Sequence, residues 1–355
     1  MPQARCPLAL AAAVAHALAA GPLAAETWEL DAWDPPFRYE ARPQSLDYQP
    51  LARAERPWRL CASYPHLKDS YWLSVNYGMV QQARQLGVRL EVVEAGGYPN
   101  LQRQRQQIED CVAAGAEALI VGTVSFDGLT DLMLELSQRM PIVAAVNDIA
   151  DAGIAAKAAV SWTEMGYAIG RYFALRHPAG SAPVKLAWFP GPTGAGWVRF
   201  VEDGFAEGLT GSTAEIVVTK FGDTGTEIQL ILIEEALEEH PEIDYIVGSA
   251  VTAEAAVSVL RARGLTGRIR VLADYFTHGV YRGIKRGKIL AAPTDSPVMQ
   301  GRLAVDQAVR LLEGSLSVKH AGPRIVVMDQ ETLEGLALEN SLAPASFNPT
   351  FVVEP

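Results

Sequence analysis

From residue 58 onward, short apolar runs of five to seven residues alternate with longer stretches in which apolar positions recur every three or four. Runs that short suit strands buried on both faces, and the longer stretches suit amphipathic helices. The pattern therefore predicts βαβ units around mainly parallel sheets. Strands are expected at 59–64, 89–94, 118–123 and 142–147, with a second set at 158–162, 185–189, 215–219, 245–248 and 269–273. Helices are expected over 71–86, 100–115, 163–175, 198–209, 227–239, 252–263 and 297–312. Gly87 and Gly115 supply stops, Asn100 a start, and Ala304, Ala308 and Leu311 give the last helix one buried stripe. Gly166 and Gly170, four apart, read as a contact between packed helices.

Nine strand–helix steps are too many for one open sheet, and the count divides near residue 148. The expected fold is α/β, with two Rossmann-like lobes, each built on a parallel central sheet, and a hinge at Asn147 and Asp148. The first lobe would hold 58–148 plus about 275–322, and the second 149–274 plus about 323–355. Residues 26–57, rich in Pro, aromatic and charged positions without a period, read as an extension lying on a domain. Ligands of such sheets sit beyond the carboxyl ends of the strands, so two facing lobes would enclose a small molecule in a cleft that closes about the hinge.

The first 25 residues carry a different signal. Arg5 is their only charge, and Leu8 to Ala20 is a run of Ala, Leu and Val broken only by His16. This reads as a secretory signal peptide over 1–25, too short for a stop-transfer helix, so no direct membrane insertion is expected after its removal. Ala19 and Ala25 both suit cleavage, and Glu26, the first acidic residue, favours the later cut. Removal of Cys6 would leave Cys61 and Cys111 in an oxidising compartment, either as a disulfide or as two buried thiols. Lys plus Arg number 30 against 41 Asp plus Glu, for a formal charge of −11. That balance argues against nucleic acid and anionic lipid as partners.

Candidate chemistry gathers at strand ends. The loop after the first strand runs into Asp69, Tyr71 and Trp72, the strand at 158–162 delivers Trp162, and the strand at 269–273 runs into Asp274 and Tyr275. Aromatic faces attract a cation, most strongly when dry, and quaternary ammonium groups are the usual ligands. The set suits a compact ligand with a methylated, formally positive nitrogen better than a free sugar, whose hydroxyls need many planar polar groups. The stretch Pro190 to Gly196 lacks the lysine of a phosphate loop and reads as a loop permitting close approach across the cleft. The acid pairs Glu234-Glu235 and Glu238-Glu239 read as a solvated helix face. No nucleophile elbow or zinc-protease motif occurs, and the six His stand singly, so neither catalytic residues, nor metal, nor cofactor is expected.

Several strings together resemble one family. They are Leu60-Cys61-Ala62 with Tyr64-Pro65, Leu67-Lys68-Asp69-Ser70-Tyr71-Trp72-Leu73-Ser74, Asn76-Tyr77-Gly78-Met79, Glu94-Ala95-Gly96-Gly97-Tyr98, Trp162 with Met165-Gly166-Tyr167, His240-Pro241-Glu242-Ile243-Asp244, and Val280 to Gly287. The chain resembles the type I periplasmic binding proteins, the ribose-binding-like family, and within it the branch that senses trimethylamine N-oxide. That resemblance implies a non-enzymatic periplasmic sensor. It would bind the N-oxide between its lobes and partner the periplasmic domain of a membrane sensor histidine kinase that regulates the reductase system. It also implies that Asp69, Tyr71, Trp72, Trp162 and Tyr275 hold the ligand. The competing reading is the solute-capture component of an ABC importer for a sugar or methylated amine.

Overall fold

The computed structural model describes residues 26–335 and 337–355; the expected signal peptide lies outside them. In chain order the strands are β1 (Trp28–Ala32), β2 (Gln44–Tyr48), β3 (Arg59–Tyr64), β4 (Arg89–Glu94), β5 (Ala118–Val121), β6 (Ile142–Ala145), β7 (Ala156–Ala158), β8 (Val184–Gly191), β9 (Ala214–Phe221), β10 (Tyr245–Gly248), β11 (Arg270–Ala273), β12 (Ala291–Thr294), β13 (His320–Gly322), β14 (Val326–Asp329) and β15 (Val352–Val353). One sheet has nine strands in the order β15-β4-β3-β5-β6-β7-β13-β1-β2, and a second has four in the order β11-β10-β8-β9. Strands β4 through β13 of the first sheet pair in parallel, and its outermost members β15, β1 and β2 pair antiparallel. The second sheet is parallel throughout.

The central strands form where they do because they have no polar face. Every residue of β5 (Ala-Leu-Ile-Val) and β6 (Ile-Val-Ala-Ala) is buried, as expected of parallel strands covered by helices on both sides. The helix Pro297–Leu312 lies against the helix Ser70–Leu86 and beneath β5, β6 and β7, which places it in the first lobe. In the second lobe, helices Trp162–Arg176 and Val198–Gly208 cross closely. A Cβ on Gly166 would meet the Phe205 amide nitrogen at 2.8 Å, and one on Gly204 the Tyr167 amide nitrogen at 2.8 Å. The glycines are the packing contact expected of them.

The lobes divide differently from the split at 148. Strand β7 joins β6 and β13, so the chain stays in the first lobe through Ala158 and leaves it just before Trp162. Residues 275–294 remain with the second lobe, where β12 pairs with β14, and β15 returns the tail to the first sheet beside β4. A three-residue buried strand carries no sign of which sheet it will join, and counting strands assigned it to the wrong one. The 26–57 segment is also more than a cover, since β1 pairs with β13 and carries the hairpin partner β2. Tyr48 donates to Asp306 at 2.6 Å and Arg302 binds Glu26 at 2.6 and 2.8 Å, pinning the hairpin to the helix 297–312. Cys61 on β3 and Cys111 on the helix Leu101–Ala113 form a disulfide closing a 50-residue separation.

Candidate functional site

The carboxyl ends of strands from both sheets converge on one narrow cavity of about 10 Å³. The first lobe contributes Asp69, Tyr71 and Trp72 after β3, Tyr98 after β4 and Asn147 after β6, and the crossover after β7 contributes Trp162. The second lobe contributes Trp197 after β8, Thr224 after β9 and Tyr275 after β11. All five residues singled out in the sequence therefore line one space. Tyr98 and Trp197 went unrecognised there, and Asn147, read only as a hinge, lines the cavity as well. The missed aromatics stand in the loops that leave β4 and β8, so the signal that found the others was present at their strand ends too.

The rings form a closed set of contacts. Tyr71 meets Tyr275 at 5.1 Å between centroids and Trp72 at 6.1 Å, both edge-on. Trp197 lies 5.2 Å from Trp162, 5.9 Å from Tyr275 and 6.3 Å from Tyr98. Contacts at such angles alternate ring faces with ring edges, and the faces carry the negative end of the quadrupole. Local chain geometry holds the rings. Asp69 caps the helix 70–86, its Oδ1 accepting the Trp72 amide N–H at 3.0 Å, so Tyr71 and Trp72 occupy the first turn. Ser161 caps the helix 162–176, whose first residue is Trp162, and the Trp162 indole donates to the Val146 carbonyl at 2.9 Å. That bond runs from the start of the second lobe back to the end of β6.

The polar groups around the rings are mostly committed. Asn147 donates to the Thr123 carbonyl at 2.8 Å and to the Tyr98 hydroxyl oxygen at 3.1 Å. Tyr71 donates to Asp295 Oδ2 at 2.5 Å, and Gln300 donates to the same oxygen at 2.7 Å. Burial pushes the Asp295 carboxyl above its ordinary range despite those donors, and burial alone drives Asp274 far upward. Burial likewise raises Tyr98, opposed by the amide donor of Asn147. The Tyr275 hydroxyl makes no hydrogen bond among the described residues. The cavity thus offers aromatic faces, unspent donors and one carboxylate, Asp69, whose side chain is 12% exposed. Asp69 and Thr224 also stand in the wall of a wider polar groove open to solvent.

Direct contacts hold the lobes together over the cavity. Lys68 pairs with Asp223 at 2.8 Å, and the buried His66 ring meets Thr224 Oγ1 at 3.0 Å. Burial lowers His66, with Asp69, 3.9 Å away, pulling the other way. Beyond the cage, Phe126 and Phe200 meet edge-on at 5.3 Å. Gly196 approaches the Asp148 backbone so closely that a Cβ would meet the carbonyl carbon at 3.2 Å and Thr123 Cγ2 at 3.3 Å. The glycine-rich loop does permit close approach across the cleft. Among the described residues no cluster of His, Cys, Asp and Glu has the arrangement to hold a metal ion.

The model of the periplasmic binding proteins and sugar-binding domain of the LacI family matches residues 57–345. The chain belongs to this family. As a periplasmic binding protein it is 41% identical over 299 residues to the periplasmic protein TorT of Escherichia coli (strain K12), covering 84% of this chain and 86% of that one. It is 20% identical over 270 residues to a D-ribose/D-allose-binding protein of Pseudomonas aeruginosa, covering 73% of this chain and 83% of that one. Among solved structures, TorT in complex with the TorS sensor domain in the absence of ligand superposes with a TM-score of 0.76 at 42% identity, covering 83% of this chain and 99% of that one. The corresponding complex in the presence of TMAO gives 0.75. A solute-binding protein from Bradyrhizobium sp. BTAi1 with bound Bis-Tris gives 0.79 at 47% identity, covering 93% of this chain and all of that one. Like TorT, this binding protein is periplasmic, and no helix of its described residues is long and apolar enough to cross a membrane.

Proposed function

We propose that this protein is a non-enzymatic periplasmic sensor. It binds trimethylamine N-oxide between its lobes and partners the periplasmic domain of a TorS-like sensor histidine kinase, which regulates the N-oxide reductase system. The observation that carries the ligand is the cage itself: six aromatic rings from both lobes close on one small cavity. Trp72, Trp162, Trp197 and Tyr71 present faces and edges to the three methyl groups, and desolvated cation–π contacts of this kind contribute about 2 kcal/mol each. The oxide oxygen takes its hydrogen bond from the Tyr275 hydroxyl. Asp69 closes the rim and keeps the first turn of its helix in register. A sugar is poorly served here, because Asn147 is already committed to the Thr123 carbonyl and the Tyr98 hydroxyl. The partner reading rests on the 42% identity to TorT crystallised with the TorS sensor domain.

The second reading, capture of a solute for an ABC importer, is favoured by the Bradyrhizobium relative described as an ABC transporter component. Calorimetric titration of the mature protein with trimethylamine N-oxide, trimethylamine, glycine betaine and ribose, alone and with the kinase periplasmic domain, separates the two. Selective N-oxide binding strengthened by the kinase domain supports the sensor, because linkage between ligand and partner is reciprocal. Ribose binding, or no N-oxide binding even with the kinase domain present, returns the importer reading.

A further inference from the structure

The crossover that carries the chain from β12 of the second lobe back to the helix 297–312 of the first concentrates two costs at one point. Ser296 holds φ 50° and ψ 65°, a left-handed backbone that residues with a Cβ rarely adopt. Beside it the Asp295 carboxyl is fully buried, and its Oδ1 has no partner among the described residues. Backbone strain and half-satisfied buried groups persist where surrounding contacts over-determine them, and such strain gathers at ligand clamps and switches. The crossover is also latched to a later return of the chain. Thr294 Oγ1 and Ser296 Oγ lie 2.9 and 3.4 Å from the Oγ of Ser341, on the short helix Leu338–Ser341 that precedes β15.

The cage reaches this crossover through one bond. Asp295 Oδ2 accepts the Tyr71 hydroxyl at 2.5 Å, while Gln300 Nε2 donates to the same oxygen at 2.7 Å and to the Asp295 carbonyl at 2.9 Å. Tyr71 lines the cavity and Asp295 does not. One side chain thus has its ring in the cage, edge-on to Tyr275 of the second lobe, and its hydroxyl on a crossover between the lobes. A ligand shifts a hinge equilibrium only through contacts that differ between the two states. The Tyr71–Tyr275 contact spans the lobes, and the bond to Asp295 ties that contact to the strained segment beside it. We propose that Asp295 is a positioning residue for ligand binding: through the Tyr71 hydroxyl it holds the ring against Tyr275 and makes the crossover 294–297 follow the filling of the cage. This rests on the N-oxide reading above.

The test titrates trimethylamine N-oxide and trimethylammonium into wild type, Tyr71→Phe, Asp295→Ala, these two combined, and Asp295→Asn, with a thermal melt of each. Calorimetry reads affinity. Energy transfer between dyes on Leu134→Cys of the first lobe and Leu175→Cys of the second, positions 47% and 64% exposed, reads closure. Tyr71→Phe and Asp295→Ala are each expected to weaken both ligands by the same factor, roughly 5- to 20-fold, and to lower the closed fraction at a given ligand concentration. Combining them should cost no more than either alone, because one bond is lost once. Asn keeps an oxygen for the Tyr71 hydroxyl and offers a donor to Gln300 Oε1, which has no partner among the described residues, so Asp295→Asn should recover most of the affinity lost in Asp295→Ala. Wild-type affinity and closure in a folded Tyr71→Phe overturn the proposal and leave the ligand reading standing. Loss confined to the N-oxide assigns the hydroxyl to the oxide oxygen and overturns it, as do additive losses or an Asn variant as weak as the Ala one. If Asp295→Ala does not fold, Tyr71→Phe and Asp295→Asn still decide. No N-oxide binding by the wild type removes the ligand reading and the proposal with it.

Discussion

Replacing Tyr275 by Phe separates the two ends of the proposed ligand. The Tyr275 ring is 4% exposed and sits edge-on to Tyr71 at 5.1 Å, to Trp197 at 5.9 Å and to Trp162 at 6.4 Å, contacts that Phe retains. Its hydroxyl makes no hydrogen bond among the described residues, so losing it leaves no internal partner unpaired. Folding stability should therefore change by less than about 1 kcal/mol, a shift of roughly 2–4 °C in melting temperature. Binding is another matter, because a donor to a charged oxygen contributes roughly 1.5–3 kcal/mol. N-oxide affinity should fall roughly 10- to 150-fold. Trimethylammonium lacks the oxide oxygen, and its affinity should stay within about twofold because the ring faces are kept. Calorimetric titration of both ligands into wild type and Tyr275→Phe, with a melt of each protein, makes the measurement. Equal losses for both ligands, or an unchanged N-oxide affinity in a folded variant, would refute the assignment of this hydroxyl.

Three further outcomes follow from other contacts. Lys68→Met removes the ion pair across the cleft, a partly exposed pair contributing up to about 1 kcal/mol, so N-oxide binding should weaken roughly two- to fivefold. The difference should vanish near 1 M salt, where charges are screened within about 3 Å, and titration at low and high salt checks both statements. Replacing both Cys61 and Cys111 by Ser removes a crosslink closing a 50-residue separation. The expected loss is about 3–4 kcal/mol, read as a fall of roughly 5–15 °C in a thermal melt. Burial pushes the His320 imidazole down to about 3, and the nearby Lys157 adds to it. The unfolded chain then binds the extra proton first, so this contribution is whole above about pH 6.5 and is lost as pH falls toward 3, at up to about 1.4 kcal/mol per pH unit. His320→Asn keeps an acceptor for the Phe37 amide, which donates to the ring at 3.1 Å, and should flatten the acid limb of a pH–melting series. An unchanged slope would sink the argument.

The strands easiest to read were those with no polar face. Both β3 and β4 appear at the expected residues, and β5 and β6 fall within their expected spans, because a strand covered on both sides is apolar throughout. The hairpin β1–β2 was illegible for the opposite reason: β2 buries only Tyr48, and its stability comes from distant partners such as Asp306. The strand expected at 158–162 lies instead at Ala156–Ala158 and belongs to the first lobe, where its neighbour β13 is more than 150 residues away. Within the cage, Tyr71, Trp72, Trp162 and Tyr275 were legible because each stands where a strand hands over to a helix. Trp197 was masked by the glycine-rich loop before it, and Tyr98 passed as part of a turn. Asp69 shows a different limit, because a carboxylate chosen for its charge also serves as a helix cap.

Strands β1 and β15 lie near opposite margins of the same sheet, so both ends of the described chain ride on the first lobe. Fluorescent proteins fused at the two ends would therefore travel together and stay blind to closure, however large the hinge rotation. An optical sensor for this ligand needs one dye on the second lobe, for example at the exposed Leu175, and can take the other from either end. The same arrangement favours surface tethering by either terminus, since the anchor grips the lobe that holds still and leaves the other free to swing.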